Sequence, residues 1–447
     1  MPASIKNSLK EELTIKAFQV LSKVSDENIF RFVDLVERFT PRGITKEVVV
    51  FVKNSYKKKT PTLILTKRIL SDVDKNCQKK ILENLVLAEL LENGEKREKS
   101  EGEGAAPLFT LLISPSMRCN LRCKGCYAQN YKMEDDLSFD VMDRIIGEAK
   151  EMGVSFFTIL GGEPFIREDI FDIFKKHSDV YFQVYTNGTL VNEKIAKKLI
   201  EVGNVIPQIS IEGFEKETDF RRGTGIYKKI LSAMDILKKN GVPFGYSVCV
   251  TRKNAEVVMS DEFVDLMIEK GALTGWYFLY MPVCGDKNTE LMPTPEQRNN
   301  QRISRDHIRA TKPLFIVDFW NDAPYVGGCI AAKRYCHVNN FGDVEPCIFT
   351  HFAEANIKNT SLKEATKCHF FQEIRKRQPY SSNLLMPCML IDHPEVSREL
   401  CQNCNIHPTH SGAKTLMEDL KDDIDAYSSG VHQIYDKVWE KEQKSHK

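Results

Sequence analysis

The stretch FTLLISPSMRCNLRCKGCYAQN, residues 109 to 130, carries two messages. Its first part, FTLLIS, is a short β-rich run. Its second part sets Cys119, Cys123 and Cys126 within eight residues. From here to about residue 283 the pattern alternates. The β-rich runs are FTLLIS, SFFTIL, YFQVYT, PQISIEG, FGYSVCV and WYFLYMPV. Amphipathic runs such as DVMDRIIGEAKEM, NEKIAKKLIEV, YKKILSAMDILKKN and EFVDLMIEKG separate them. Strand-then-helix repetition implies a parallel sheet with right-handed crossovers. Six such units predict an α/β fold, a partial (β/α)6 barrel related to the eight-fold barrel, with its chemistry at the C-terminal ends of the strands.

The three-cysteine loop follows the first strand directly, so it lies at such an end. Three thiolates cannot complete a structural zinc site, which takes four protein ligands. They can hold a four-iron cluster by three of its irons, with the fourth left open. The wider composition agrees with a metal role for the thiols. The chain has 447 residues and 13 cysteines, 42% hydrophobic and 28% charged residues, and a net charge of +1. That balance gives no global reason to expect nucleic acid or an anionic membrane as partner. No apolar run reaches the ~18–20 residues that span a bilayer. The start, MPASIKNSLKEELTIK, lacks the apolar core of a secretory signal, so a cytoplasmic location is expected. In a reducing compartment, clustered thiols point to metal or catalysis rather than to disulfides.

The CxxxCxxC loop after the first strand resembles the signature of the radical S-adenosylmethionine (SAM) enzymes, and the later strand ends extend the likeness. LGGEPFIR after the second strand resembles that family's GGEP motif at Gly161, Gly162, Glu163 and Pro164. Two glycines there permit close approach of backbone to the cofactor. YTNGTL after the third strand, with Asn187, resembles its TNG turn. In ISIEGFEKETDFRRGTGIY, Ser210 and Glu212 alternate, so both point to one side. They resemble the Ser-x-Asp/Glu pair that contacts SAM. Arg222 matches the arginine that pairs with the SAM carboxylate, and Arg221 is its rival. One departure stands out. Many of these loops carry an aromatic residue just before the third cysteine, near the adenine; here that residue is Gly125, and Tyr127 is the expected substitute.

The resemblance implies a catalytic 4Fe–4S cluster on Cys119, Cys123 and Cys126, SAM as cosubstrate, and an electron donor such as flavodoxin or ferredoxin. The substrate, whether peptide, lipid or small molecule, is not identified by it. Farther on, GGCIAAKRYCHVNNFGDVEPC reads as a hairpin with a turn at 339–342. With LLMPCMLIDHPE it resembles the SPASM/twitch auxiliary-cluster domains. That implies an auxiliary 4Fe–4S cluster on Cys329, Cys336, Cys347 and Cys388. Zinc in the same four-cysteine site is the alternative. CQNCNIHPTH offers Cys401, Cys404, His407 and His410 as accessory or replacement ligands. Cys249 reads as a core thiol, Cys284 as a strand-end thiol, and Cys77 and Cys368 as structural.

The expected organisation is a helical N-terminal region at 1–91, a charged linker at 92–107, the barrel at 108–320, the small Cys-rich domain at 321–410, and a charged helical tail at 411–447. A basic patch, Lys57 to Lys59, reads as a solvated face or a docking surface for an acidic partner. Two further function classes compete with the radical enzyme: a non-catalytic Fe–S carrier or scaffold, and a zinc-binding structural protein.

Overall fold

The computed structural model describes residues 12–17, 25–39, 44–129, 131, 135–283 and 285–445. Cys284, and the start of the chain as far as residue 11, lie outside them. Six parallel strands run in sequence order: β1 (Thr110–Ile113), β2 (Phe156–Ile159), β3 (Tyr181–Thr186), β4 (Val205–Ser210), β5 (Gly245–Val250) and β6 (Thr274–Leu279). Helices connect them, starting at side-chain caps where the sequence supplies Ser138, Asn192 and Ser260. Each cap accepts a hydrogen bond from an otherwise orphaned N–H of the first turn. The outer face of the sheet packs on the apolar sides of these helices, with Phe157, Phe174 and Phe182 in ring contact at its centre.

The parallel run is longer than six. Strand β7 (Phe315–Asp318) pairs with β6, and β8 (Tyr335–Val338) pairs with β1 on the opposite side. Strand β9 (Asp343–Glu345) folds back antiparallel on β8. The sheet curls as a barrel whose two parallel ends, β7 and β8, are joined by chain rather than by pairing. The expected hairpin is therefore present, and it extends the barrel sheet.

The N-terminal helices lie at the N-terminal ends of the strands, opposite the chemistry. Polar side chains fasten them to loop carbonyls there. Arg68 donates to Pro313 and Ala272 at 2.8 and 3.0 Å, Asn76 to Ile200 at 2.8 Å, and Asn84 to Val180 at 2.9 Å. The stretch expected as a linker is instead helical through Gly94–Gly102. Its charges are not idle: Arg97 pairs with Glu89 and donates to the Gly153 carbonyl at 3.0 Å. Asn93 is buried and donates to Ser155 Oγ at 2.7 Å. A polar composition here marks docking by hydrogen bonds rather than free chain.

The final helix, Lys421–Ser445, is equally integral. Tyr435 is fully buried and donates to Asn321 Oδ1 at 2.9 Å. No helix among the described residues is long and apolar enough to cross a membrane.

Candidate active site

Every strand-end motif lies on one side of the barrel, around the loop after β1. The loop itself is shaped by backbone contacts. Gly162 N–H donates to Ser116 O at 2.9 Å and Glu163 N–H to Arg118 O at 2.8 Å. A Cβ on Gly161 would lie 2.3 Å from Ser116 O, and one on Gly162 would lie 2.1 Å from Arg118 O. The two glycines therefore let the turn after β2 pack on the chain that leads into Cys119. That is a different reason from the close approach to cofactor expected of them.

Glu163 is buried and forms the next link. Its carboxylate accepts from Phe165 N–H at 3.1 Å, Thr186 Oγ1 at 2.8 Å and Asn187 N–H at 2.7 Å. Burial raises its pKa, and these hydrogen bonds oppose the rise. Glu163 thus holds the turn after β3. Pro164 opens the short 3-10 turn that follows it. Asn187 continues the chain of contacts: its Nδ2 donates to Asn120 Oδ1 at 2.9 Å and lies 3.8 Å from Cys119 Sγ. Cys119 Sγ also accepts from Leu121 N–H at 3.4 Å.

From β4, Ser210 meets Ser247 Oγ at 3.2 Å. Glu212 accepts from both arginines: Arg221 Nη1 at 2.6 Å, and Arg222 Nε and Nη2 at 2.9 and 2.6 Å. Its other oxygen accepts from Cys249 N–H at 3.1 Å. Arg222 is thus a partner of Glu212. Arg221, the rival, reaches the loop: its Nη2 donates to Gly125 O at 3.3 Å, and its own carbonyl accepts from Lys124 N–H at 2.9 Å. Burial opposes the Arg221 charge, yet Cys249, Glu212, Cys123 and Cys126 hold its pKa above the ordinary value. Cys249 on β5 is half-buried and packs against the main core, as expected, while its backbone borders this site through Glu212.

The space a side chain at Gly125 would take is filled by a ring from another strand end. A Cβ on Gly125 would lie 2.4 Å from Cε2 of Tyr280, which follows β6. Tyr280 donates to Asp286 Oδ2 at 3.0 Å. Tyr127, the expected substitute, is held at the Gly161 peptide: its hydroxyl donates to the carbonyl at 3.2 Å and accepts from the N–H at 3.0 Å. Sequence spacing could not find Tyr280, because the partner comes from the other end of the barrel. Beside Gly125 opens a cleft of about 730 Å³. Lys124, Arg252 and Lys253 line it, with Asp286 and Glu290. Lys124 and Lys253 stand 4.0 and 4.2 Å from the ring centroid of Phe220, which is partly exposed.

A second polar network lies beneath the loop and was not anticipated. Glu345 on β9 is fully buried. It accepts from Tyr131 at 2.9 Å and Thr409 at 2.5 Å, and pairs with His337 Nδ1 at 2.6 Å. His337 Nε2 meets Ser114 Oγ at the end of β1, at 2.7 Å. The hairpin is thereby bolted to both sides of the cysteine loop.

The second cysteine field separates into groups. Cys329 and Cys347 pack in one apolar cluster with Tyr335, whose hydroxyl donates to Cys347 Sγ at 3.2 Å. Burial pushes the Cys329 thiol up to about 12 and raises Cys347 and Cys388 as well, and the charge of each neighbouring thiol adds to this at Cys329 and Cys388. Cys336 is not brought to them. It follows Tyr335 in β8, so its side chain points to the opposite face. It is fully buried there and feels Cys368 instead. Cys401 lies 3.5 Å from Met417 Sδ and within charge range of Cys404, in neither set. His407 meets Asp343 at 3.2 Å, and His410 packs its ring on Tyr131 and His351.

Both thiol sets bear on the metal question. Among the described residues, no group of three or more His, Cys, Asp or Glu side chains closes around a single ion position. A cluster takes each thiol at a different iron, so its ligands stand apart. The donor chemistry of Cys119, Cys123 and Cys126 fits a four-iron cluster held by three irons.

The comparisons with known proteins fall on the same residues. A family model described as the radical SAM superfamily matches residues 113–262. This stretch of the chain is a radical SAM domain. Its cofactors are accordingly a 4Fe–4S cluster and SAM. An AdoMet-dependent heme synthase of Methanosarcina barkeri is 27% identical over 275 residues, 55% of this chain and 78% of that protein. The mycofactocin maturase MftC of Mycobacterium tuberculosis is 29% identical over 289 residues, 58% and 71% of the two chains. Among solved structures, Streptococcus suis SuiB bound to precursor peptide SuiA superposes with a TM-score of 0.56 at 20% identity, over 68% of this chain and 76% of that one. The fold also matches anSMEcpe with bound AdoMet, at a TM-score of 0.52 and 18% identity over 73% and 99%.

Proposed function

We propose that the protein cleaves SAM reductively and uses the resulting radical to take a hydrogen atom from a substrate seated in the cleft beside Gly125. The observation that carries this reading is convergence. Three separate strand ends reach the chain of the cysteine loop: Glu163 N–H bonds Arg118 O and Asn187 Nδ2 lies beside Cys119 Sγ on one side, and Arg221 Nη2 bonds Gly125 O on the other. A carrier protein has no use for such a frame. When bound, the cluster and SAM supply one electron and a C5′–S bond whose scission yields the 5′-deoxyadenosyl radical.

The chain's own residues have positional roles. Cys119, Cys123 and Cys126 hold the cluster. Gly161, Gly162, Glu163, Pro164 and Asn187 fix the turns that face it, and Ser210, Glu212 and Arg222 present the polar wall for SAM. Tyr127 braces Gly161, and Tyr280 takes the place near the adenine. A low-potential donor such as flavodoxin or ferredoxin supplies the electron. The basic rim of Lys124, Arg252 and Lys253 suits a substrate with an anionic group. A second 4Fe–4S cluster sits in the Cys329, Cys347 and Cys388 set.

The test is iron and sulfide content of anaerobically reconstituted protein, with dithionite-driven release of 5′-deoxyadenosine. Wild type is compared with a Cys119→Ala, Cys123→Ala, Cys126→Ala triple variant. About eight irons falling to about four, with cleavage lost, is the expected result. A wild type without iron and without cleavage would overturn the reading.

A further inference from the structure

The inward faces of the barrel strands are more exposed than the outward ones. Along β6 the inward residues Thr274, Trp276 and Phe278 are half-buried, whereas the outward Gly275, Tyr277 and Leu279 are buried. Strand β7 repeats this with Val317 against Ile316 and Asp318, and β1 with Leu112 against Leu111 and Ile113. A filled interior would bury both faces of such a parallel sheet. The barrel therefore encloses an open lumen. We propose that this lumen takes a long alkyl chain, the apolar end of a substrate whose anionic head stays at the basic rim of the cleft. The proposal rests on the reading above and names a substrate class for it.

The lining decides the chemistry. Trp276 and Phe278 stack with centroids 6.2 Å apart, and Phe278 meets Tyr185 at 5.8 Å and Phe319 at 5.4 Å. Trp276 Nε1 is itself buried, so the surface this side chain shows is ring carbon. Polar side chains inside the barrel are taken up by one another. Gln183 donates to the Tyr185 hydroxyl at 3.0 Å, Gln208 to Gln183 Oε1 at 3.4 Å, and Thr274 to Gln208 Oε1 at 3.1 Å. Ser210 and Ser247 pair at 3.2 Å. Among the described residues, no inward position of β1 to β7 carries a charged side chain. An anion or a peptide backbone placed here would lose its water without gaining partners. Hydrocarbon is favoured by leaving water.

Depth separates a chain from a single side chain. The inward row of β6 continues to Tyr280, whose ring fills the space at Gly125 on the edge of the cleft. Its hydroxyl donates to Asp286, which also lines the cleft. At the other end Thr274 meets Gln208, which is fully buried and forms a floor with Gln183. From Thr274 to Tyr280 the chain rises about 20 Å. No amino-acid side chain reaches that far, and an extended alkyl chain does. Its head then lies by Lys124, Arg252 and Lys253. In the reaction, one C–H bond of the chain breaks, one C5′–H bond of 5′-deoxyadenosine forms, and the unpaired electron passes to the chain carbon. Deuterium on the chain therefore reports the contact by its transfer.

The experiment uses the reconstituted full chain with dithionite and SAM. One probe is fully deuterated hexadecanoic acid, and the other is phosphatidic acid with the same deuterated chains in detergent micelles. Deuterium in the released 5′-deoxyadenosine is expected, and the probe that gives it identifies the head the rim accepts. Binding is read separately. Of the three tryptophans, Trp320→Phe and Trp439→Phe leave Trp276 alone, and a hexadecanoic acid brominated at its far end should quench its fluorescence. Val317 is the register partner of Trp276 on β7. Val317→Phe should fill the lumen and lower both quenching and deuterium transfer about tenfold. Iron content and SAM cleavage without substrate should stay as in wild type. SAM cleavage with no deuterium from either probe would overturn the alkyl chain and leave the reading above standing. Absent quenching, or full transfer in Val317→Phe, would overturn the lumen as its site. No SAM cleavage at all would overturn the reading above, and quenching alone would then decide whether the lumen binds the chain.

Discussion

Cys119, Cys123 and Cys126 leave the chain within a single turn after β1, whereas Cys329, Cys347 and Cys388 are gathered from a strand approach, a hairpin end and a distant loop. The first set is positioned locally. Its spacing dictates that the thiols face one region, and the turns after β2, β3 and β4 then brace the loop from outside. The second set exists only once β8 has found β1 and the chain after the helix His369–Arg377 has returned. Its thiols depend on tertiary contacts at every step. The sets should therefore fail differently. Cys123→Ala should abolish SAM cleavage while about half the iron stays bound. Cys388→Ala should remove the other half and leave uncoupled cleavage of SAM in place. Iron content and 5′-deoxyadenosine release, measured on both variants, check this. Cleavage lost in both would show that the two sets are one functional unit.

The next effect concerns the frame of the second set. Arg298 and Asp392 are both fully buried, and Asp392 holds the Cys388 N–H. Arg298 also donates to the Leu385 carbonyl at 3.0 Å and lies under the Tyr435 ring. Arg298→Ala would leave a buried carboxylate unpaired, at a cost of about 3–5 kcal/mol. A lowered midpoint in denaturant and a selective loss of the second cluster are expected. Arg298→Met with Asp392→Leu should recover much of the stability without recovering the cluster. Equal iron loss from both sets would argue that Arg298 supports the whole fold instead.

The same contrast explains what was readable from the chain. The six β/α units announce themselves because apolar periodicity is a local signal. GGEP, the TNG turn and the Ser210–Glu212 pair are readable because each lies at a strand end, on a side set by that strand. Tyr280 was not readable as the partner of Gly125, since nothing in a sequence says which ring fills a missing side chain across a barrel. Gly94–Gly102 was misjudged as a linker because polar residues that dock by hydrogen bonds to carbonyls look solvated in composition alone. The network of Glu345, His337 and Tyr131 was missed for a related reason: its members are separated in sequence by up to 214 residues.

The Gly125 position sharpens the comparison within the first set. Gly125 has φ of 65°. A methyl group there would be strained by backbone conformation and would also meet the Tyr280 ring at 2.4 Å. Gly125→Ala should retain the cluster but slow SAM cleavage roughly tenfold, about 1.4 kcal/mol in transition-state terms. Tyr280→Leu combined with it should return part of that loss by making room. If Tyr280→Leu alone lowers SAM affinity more than it lowers cleavage at saturation, the ring contacts the cosubstrate as proposed. An unchanged affinity would leave Tyr280 as packing only.

The smallest expected effect is the most discriminating for the second set. Cys336 occupies a position that motif layout assigns to a cluster ligand, yet strand register places its side chain among apolar residues. Cys336→Ala removes a buried sulfur and leaves a small void, which costs about 1 kcal/mol. Iron content, cluster absorbance and SAM cleavage should all match wild type. Cys336→Val should be tolerated similarly, since the site asks only for a compact apolar group. A ligand would behave otherwise: both substitutions would strip iron from the second set, and valine would be no better than alanine. The two behaviours differ in kind even though the stability change is slight, because alternation along β8 leaves no intermediate orientation for the thiol.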